Sequence, residues 1–175
     1  MTPVVLSFPF LLRVIQCGWL YKLTGQKFPY LVNLLKYATA FPAIWIGYLM
    51  HSTNSQKKQS LLVVWWLSSI VNSACTFFWD VLMDWGLGQV RSGRHLFLRG
   101  HLVYPVIWYY VAIGADFVLR CTWSLQLASA VHLKGQELTL VLEVAEVFRR
   151  AMWNLFRVEW YHVENKLYSL PERSV

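Results

Sequence analysis

The sequence predicts an all-α membrane protein with four or five transmembrane helices, and three observations support this fold class. Apolar residues make up 57% of the 175-residue chain and charged residues 14%, whereas soluble domains carry about 25% charged residues. Ten Trp and nine Tyr are typical of the aromatic belts found at membrane surfaces. The apolar residues also form stretches long enough to cross about 30 Å of hydrocarbon as helices. The alternative is a soluble all-α protein with a large core.

Five apolar stretches follow one another, separated by polar connections, and a polar tail begins at about residue 162. The stretches are residues 4–23, 31–50, 61–85, 102–127 and 138–161. The first contains Pro9 and Arg13, so it is predicted to span the membrane, to re-enter it or to lie at its surface. Pro42 predicts a kink in the second stretch, and Gly86 predicts a helix end after the third.

The formal net charge of +7 is explained by membrane topology, because most of the surplus lies in the connections and the tail. With a cytoplasmic C-terminus, that side of the membrane carries seven Lys and Arg and the other side three, as the positive-inside rule requires. No basic run resembles a nucleic-acid-binding patch, so no nucleic-acid partner is expected. Cys17, Cys75 and Cys121 are far apart and predict neither a disulfide framework nor a metal site.

Charged residues inside the apolar stretches point to function, because each costs about 2.5–3.5 kcal/mol at a bilayer centre. Helical spacing pairs Asp116 with Arg120, and it places Asp80 and Asp84 on one face. The charges within the stretches nearly balance. They are Asp80, Asp84, Asp116, Glu143 and Glu146 against Lys36, Arg120, Arg149, Arg150 and, if the first stretch inserts, Arg13.

The cations among these residues predict an anion site. Guanidinium forks match phosphate oxygens in a bidentate way, while a lysine acts as a point charge. Glu146 precedes Arg149 and Arg150 by three and four residues, so it can hold either arginine. Trp123 could close such a site or stack on an arginine. The alternative is that the intrahelical pairs only stabilise the fold.

Five sequence motifs resemble those of one family in their order and spacing. The most recognisable is FWDVLMDWG at 78–86; the others are LVNLLKYATAF, FLRGHLVYP, DFVLRCTW and EVFRRAMWNLFRVE. Together they resemble the EXS domain of eukaryotic phosphate exporters, which include a retrovirus-receptor type and a Golgi type without an SPX domain that is linked to retention of ER proteins. The resemblance runs from about residue 13 to 165.

The resemblance implies a helical pathway for inorganic phosphate without covalent chemistry, so neither an enzymatic step nor a cofactor is expected. The histidines are scattered without metal-ligand spacing, so no metal site is expected. In that family phosphate is contacted by the residues that correspond to Lys36, Arg120, Arg149 and Arg150. The family's carboxylates at the positions of Asp80 and Asp84 organise the site, and the one at Glu146 pairs with the arginines. Trp123 matches a gating residue of the family. Arg13 matches an arginine near the cytoplasmic mouth. The membrane is then expected to be that of the Golgi or the cell surface.

The chain departs from the family in starting midway through the domain, without the preceding helices or the cytosolic SPX sensor. We therefore expect a partial EXS domain over residues 1–175. The chain is then a fragment, a short gene model or a half that needs a partner, and that partner is a second copy or the missing N-terminal half. Two other functions remain open. One is a non-transporting Golgi protein that retains other proteins, and the other is an intramembrane enzyme that acts on a phosphorylated lipid through Asp80 and Asp84.

Overall fold

A computed structural model describes residues 3–53, 55–88, 95–122 and 135–168. Throughout these ranges the regular structure is helical, which confirms the predicted all-α class. The elements are α1 (Pro3–Thr24), α2 (Tyr30–Ala38), α3 (Ala40–Ser52), α4 (Ser55–Trp79), a π turn (Asp80–Asp84), α5 (Val106–Arg120) and α6 (Gly135–Tyr168). The chain divides into two compact units, Met1–Thr76 and Phe77–Val175.

In the first unit α1 packs along α2 and α3. The second apolar stretch is predicted as a single helix with a kink at Pro42. In the structure α2 and α3 are joined by the single residue Thr39, whose φ of −65° and ψ of −15° are helical and whose N–H donates to the Leu35 carbonyl at 3.1 Å. In a straight helix the proline ring would clash with the carbonyl of Ala38, four residues earlier, so the irregular turn lies upstream of the proline. The Thr39 hydroxyl lies 2.7 Å from the Lys36 carbonyl and 2.9 Å from Oδ1 of Asn72 on α4.

Among the described residues, two helical segments are long and apolar enough to cross a membrane, namely α1 and a segment from Lys57 to Asp84. Only 11% and 6% of their most apolar windows are buried within the chain, whereas the core helix of a soluble protein is mostly buried. Large side chains such as Trp19 and Leu67 are exposed, as lipid-facing positions require. The first stretch is thus a continuous 22-residue helix despite Pro9. The total of four or five spans stays a prediction.

In the second unit α6 packs against α5 and the π turn. The core between these elements consists of Val81, Trp85, Leu87, Leu98, Tyr109, Ala112 and Phe156. The predicted helix end at Gly86 is confirmed: its φ is +60°, and a Cβ there would collide with the Trp160 ring. Helix α6 continues to Tyr168, so the start of the polar tail is helical.

Candidate functional site

Four charged side chains from the π turn, α5 and α6 form one cluster, the buried quartet of Asp80, Asp116, Arg120 and Arg149. Arg120 Nε donates to Asp116 Oδ2 at 2.8 Å, and its Nη2 donates to Asp80 Oδ2. Arg149 Nη1 lies 3.3 Å from Asp116 Oδ1 and 3.6 Å from Asp80 Oδ2. Each arginine therefore contacts both aspartates, and the quartet carries no net formal charge.

The local geometry of three helical elements produces this arrangement. Asp116 and Arg120 are one turn apart on α5, so they share a face. The π turn is closed by the Trp85 N–H donating to the Asp80 carbonyl at 2.9 Å, and single π turns of this kind occur frequently at functional sites. Asp80 opens the π turn and is 5% exposed, while Asp116 is 0% exposed.

Beside the quartet lies the outer pair, Glu146 and Arg150 on α6. Glu146 accepts two hydrogen bonds from Arg149, from Nε at 2.9 Å and from Nη2 at 2.8 Å. It also accepts one from Arg150 Nε at 2.8 Å. The sequence allowed Glu146 to hold either arginine, and the structure has it holding both. The Arg150 side chain is 72% exposed, whereas that of Arg149 is 12% exposed.

The three arginines differ in the donors that they leave for an incoming anion. All three guanidinium nitrogens of Arg149 contact carboxylates. Arg120 Nη1 has no carboxylate partner among residues that the structure describes, and the same holds for both Nη atoms of Arg150. Chemically, Arg149 holds the cluster together, while Arg120 and Arg150 have N–H groups that can bind oxyanions.

The second carboxylate of the π turn contacts a different arginine. Arg157 Nη1 on α6 donates to Asp84 Oδ1, and the Arg157 guanidinium lies 5.1 Å from the centre of the Trp153 ring. Asp84 is buried but the Arg157 side chain is 48% exposed. Within the described ranges, no three His, Cys, Asp or Glu side chains converge in a group suited to a metal ion.

Comparison with known proteins decides the family. The sequence signature of the EXS family matches residues 1–163. This chain belongs to the EXS family. Solute carrier family 53 member 1 of Mus musculus is 39% identical over 170 residues, which cover 93% of this chain and 24% of the relative. The Homo sapiens protein of the same name is 37% identical over 171 residues, with 93% and 24% covered.

A third relative is the xenotropic and polytropic retrovirus receptor 1 homolog of Xenopus laevis, which is 38% identical over 171 residues, covering 93% of this chain and 25% of the relative. The chain thus spans about a quarter of the length of the curated relatives that it matches. Two relatives are named solute carriers, and two helices here are long and apolar enough to cross a membrane. This EXS-family chain is therefore an integral membrane protein.

The remaining predicted site residues of the EXS chain lie in the first unit or outside the described residues. Lys36 is in the last turn of α2, 9% exposed, with its Nζ 4.6 Å from the centre of the Tyr37 ring. Arg13 is on the exposed side of α1 and donates to Gln16 Oε1 at 3.0 Å. Trp123, the predicted gate, lies outside the described residues.

Sequence reasoning missed a second buried cluster of the EXS chain, the Arg99–Glu159 cluster. Arg99 forms an ion pair with Glu159 and donates to the carbonyls of Trp85 and His101, the latter at 2.9 Å. Tyr109 donates its hydroxyl to Glu159. Arg99 lies in a polar connection and is one of the seven cations predicted on the cytoplasmic side, yet it is only 4% exposed. Arg99 and Glu159 both lie within motifs that carry the family resemblance. That resemblance was the sequence signal that could have identified them.

Proposed function

We propose that this EXS-family chain forms part of a membrane pathway that transports or exports inorganic phosphate. The observation that carries the proposal is the buried quartet with its outer pair. There, Arg120 Nη1 and both Nη atoms of Arg150 have no carboxylate partner in the described part of the chain, and they lie beside carboxylates that already fix both arginines. Arg149 contributes by fixing Glu146 and Asp116. Because the chain spans about a quarter of its relatives, the proposal covers only its share of the pathway.

The mechanism needs no covalent step. A phosphate ion exchanges its water for guanidinium N–H groups and binds in a bidentate way, as guanidinium geometry favours. Asp80, Asp116 and Glu146 compete for the same donors, which keeps binding weak enough for the ion to leave, and conduction requires such weak binding. By family resemblance, Lys36 adds a further phosphate contact, Trp123 a gate, and Arg13 a cation at the cytoplasmic mouth.

The proposal includes an orientation and a location. The C-terminus lies in the cytoplasm, because that choice puts seven rather than three connecting cations on the cytoplasmic side. The membrane is that of the Golgi or the cell surface. In a variant whose native cysteines are replaced, a cysteine placed in the C-terminal tail is expected to react with an impermeant thiol reagent once the plasma membrane is permeabilised, with the Golgi membrane left intact. Labelling of this cysteine in intact cells, or only after the Golgi membrane is opened, would indicate the opposite orientation.

The deciding experiment measures radiolabelled phosphate flux in proteoliposomes that contain the full chain. We expect saturable flux that is lost in Arg120→Gln and retained in Lys166→Gln, which removes an exposed α6 cation far from the quartet. Absence of flux from correctly inserted wild-type protein would overturn transport by this chain and favour the non-transporting retention role. Equal flux in both variants would remove Arg120 from the pathway.

A further inference from the structure

Asp116 bridges two arginines of the quartet. Helical spacing predicts its contact with Arg120 alone, and the family resemblance gives Asp116 no role. It is 0% exposed, and its two oxygens contact arginines on different helices. Oδ2 accepts from Arg120 on its own helix at 2.8 Å, and Oδ1 lies 3.3 Å from Arg149 Nη1 on α6. Within α5 the pair with Arg120 is local, but the contact with Arg149 joins residues 33 positions apart.

A carboxylate in this position resembles the proposed cargo. Its two oxygens bridge two guanidinium groups, as two oxygens of a phosphate ion would. A buried carboxylate whose partners are both arginines also offsets positive charge that would otherwise be uncompensated. Asp80 contacts the same two arginines but belongs to the π turn, whereas Asp116 is on the same helix as Arg120 and stays beside it whenever α5 moves.

We propose that Asp116 is a resident anion that sets the affinity of the site for phosphate and the rate of phosphate release. It is a positioning residue, because it acts through Arg120 and Arg149. The inference rests on the proposed function and deepens it. Replacing Asp116 by an uncharged residue changes the formal charge of the quartet from zero to plus one. The site then binds phosphate more tightly and releases it more slowly.

The first measurement is equilibrium binding of radiolabelled phosphate to the full chain in detergent, with flux in proteoliposomes measured in parallel. Asp116→Asn keeps the shape of the side chain and removes its charge. We expect its Kd for phosphate to fall by about tenfold, equivalent to about 1.4 kcal/mol, while its maximal flux also falls. The matched control Glu143→Gln removes an exposed α6 carboxylate outside the quartet, and its Kd is expected to stay within about twofold of wild type.

The second measurement separates this role from a purely structural one. Added phosphate is expected to raise the unfolding temperature of Asp116→Asn more than that of wild type, because the ion replaces the missing charge. Chloride at equal ionic strength is the control. If the variant can be purified only when phosphate is present, that also supports the proposal, whereas failure with both salts overturns it.

The outcomes distinguish this inference from the proposed function. An unchanged or higher Kd in Asp116→Asn, or equal phosphate-induced shifts in both proteins, overturns the role of Asp116 even when flux is normal. Phosphate binding to wild type without flux overturns transport. The role of Asp116 is then judged from the Kd values of wild type and of Asp116→Asn. Wild-type protein that neither binds nor transports phosphate overturns both.

Discussion

Two buried ion clusters lie on the same helix, α6, and they differ in what surrounds the arginines. The quartet is centred on Arg149 and the second cluster on Glu159, about 15 Å apart along the helix axis. In the quartet, Arg120 and Arg149 bond to side-chain carboxylates. In the second cluster, Arg99 bonds to two backbone carbonyls and lies 5.1 Å from the centre of the Trp160 ring.

This difference makes the quartet an exchangeable site, in which another anion can replace a partner of the arginines, and the Arg99–Glu159 cluster a fixed one. A side-chain carboxylate can rotate away and be replaced by another anion. A backbone carbonyl cannot leave without unfolding its segment, and the aromatic ring blocks approach to the guanidinium. Glu159 is fixed in the same way, because it accepts from the backbone N–H of Val103 at 3.1 Å as well as from Tyr109. Burial of a charge therefore does not by itself mark function, but the type of its partners does.

The largest expected effect is on stability, in the fixed cluster. Glu159→Gln leaves Arg99 buried without its counter-charge, and breaking a buried pair costs about 3–5 kcal/mol. We expect a large fall in unfolding temperature and in the amount of protein in the membrane. The matched control is Arg150→Gln, which breaks only the pair with Glu146, in which the Arg150 side chain is 72% exposed, and such exposed pairs are worth about 0–1 kcal/mol. Equal stability losses in the two variants would contradict the distinction between the clusters.

The next largest effect is on transport, in the outer pair. Arg150→Ala removes an exposed guanidinium whose two Nη atoms have no carboxylate partner among the described residues, and a charge-assisted hydrogen bond is worth about 1.5–3 kcal/mol. We expect phosphate flux to fall at least about tenfold while membrane abundance stays normal. Lys166→Ala serves as the control, because it removes another exposed cation from α6. Normal flux at normal abundance would exclude Arg150 from the site.

The sequence predicted the local part of the site, because helix geometry fixes which residues share a face. Asp116–Arg120 and the contacts of Glu146 with both arginines follow from spacings of three and four residues. The bond between Arg120 and Asp80 joins positions 40 apart. Pairs of this kind depend on how helices pack, so spacing could not choose between Arg120 and other arginines as the partner of Asp80.

Contacts between residues far apart in sequence also explain where else the predicted and observed contacts differ. Asp84 was grouped with Asp80, yet its arginine partner is Arg157, which no local spacing relates to it. The partner of Arg99 is 60 positions away in sequence, so composition placed Arg99 among surface cations. A kink was predicted at Pro42, and the irregular turn lies at Thr39, because the steric clash of a proline ring acts one turn upstream.

A smaller effect is expected from Arg120→Lys. Arg120 reaches Asp116 through Nε and Asp80 through Nη2, and a lysine ammonium cannot reproduce this planar fork. We expect phosphate affinity to weaken by roughly fivefold, equivalent to about 1 kcal/mol. The measurement is the Kd for phosphate in detergent. Wild-type affinity in the lysine variant would mean that Arg120 only neutralises the aspartates.

The smallest expected effect separates the two carboxylates of the π turn. Asp80 contacts Arg120 and Arg149, so Asp80→Asn disturbs the exchangeable cluster, and we expect phosphate efflux to fall by about threefold. Asp84 contacts Arg157, whose side chain is 48% exposed. Because this contact involves neither Arg120 nor Arg149, Asp84→Asn should change efflux by less than about twofold.

Both substitutions remove one carboxylate from the same short turn, so each is the control for the other. Removal of an intramembrane charge eases insertion, and lost efflux from Asp80→Asn could therefore not be attributed to a costlier span. Efflux is measured per amount of inserted protein. If both variants retained wild-type efflux, Asp80 would not belong to the pathway, and the quartet would resemble the Arg99–Glu159 cluster in fixing the fold alone. A larger loss in Asp84→Asn would instead move the exchangeable site toward Arg157.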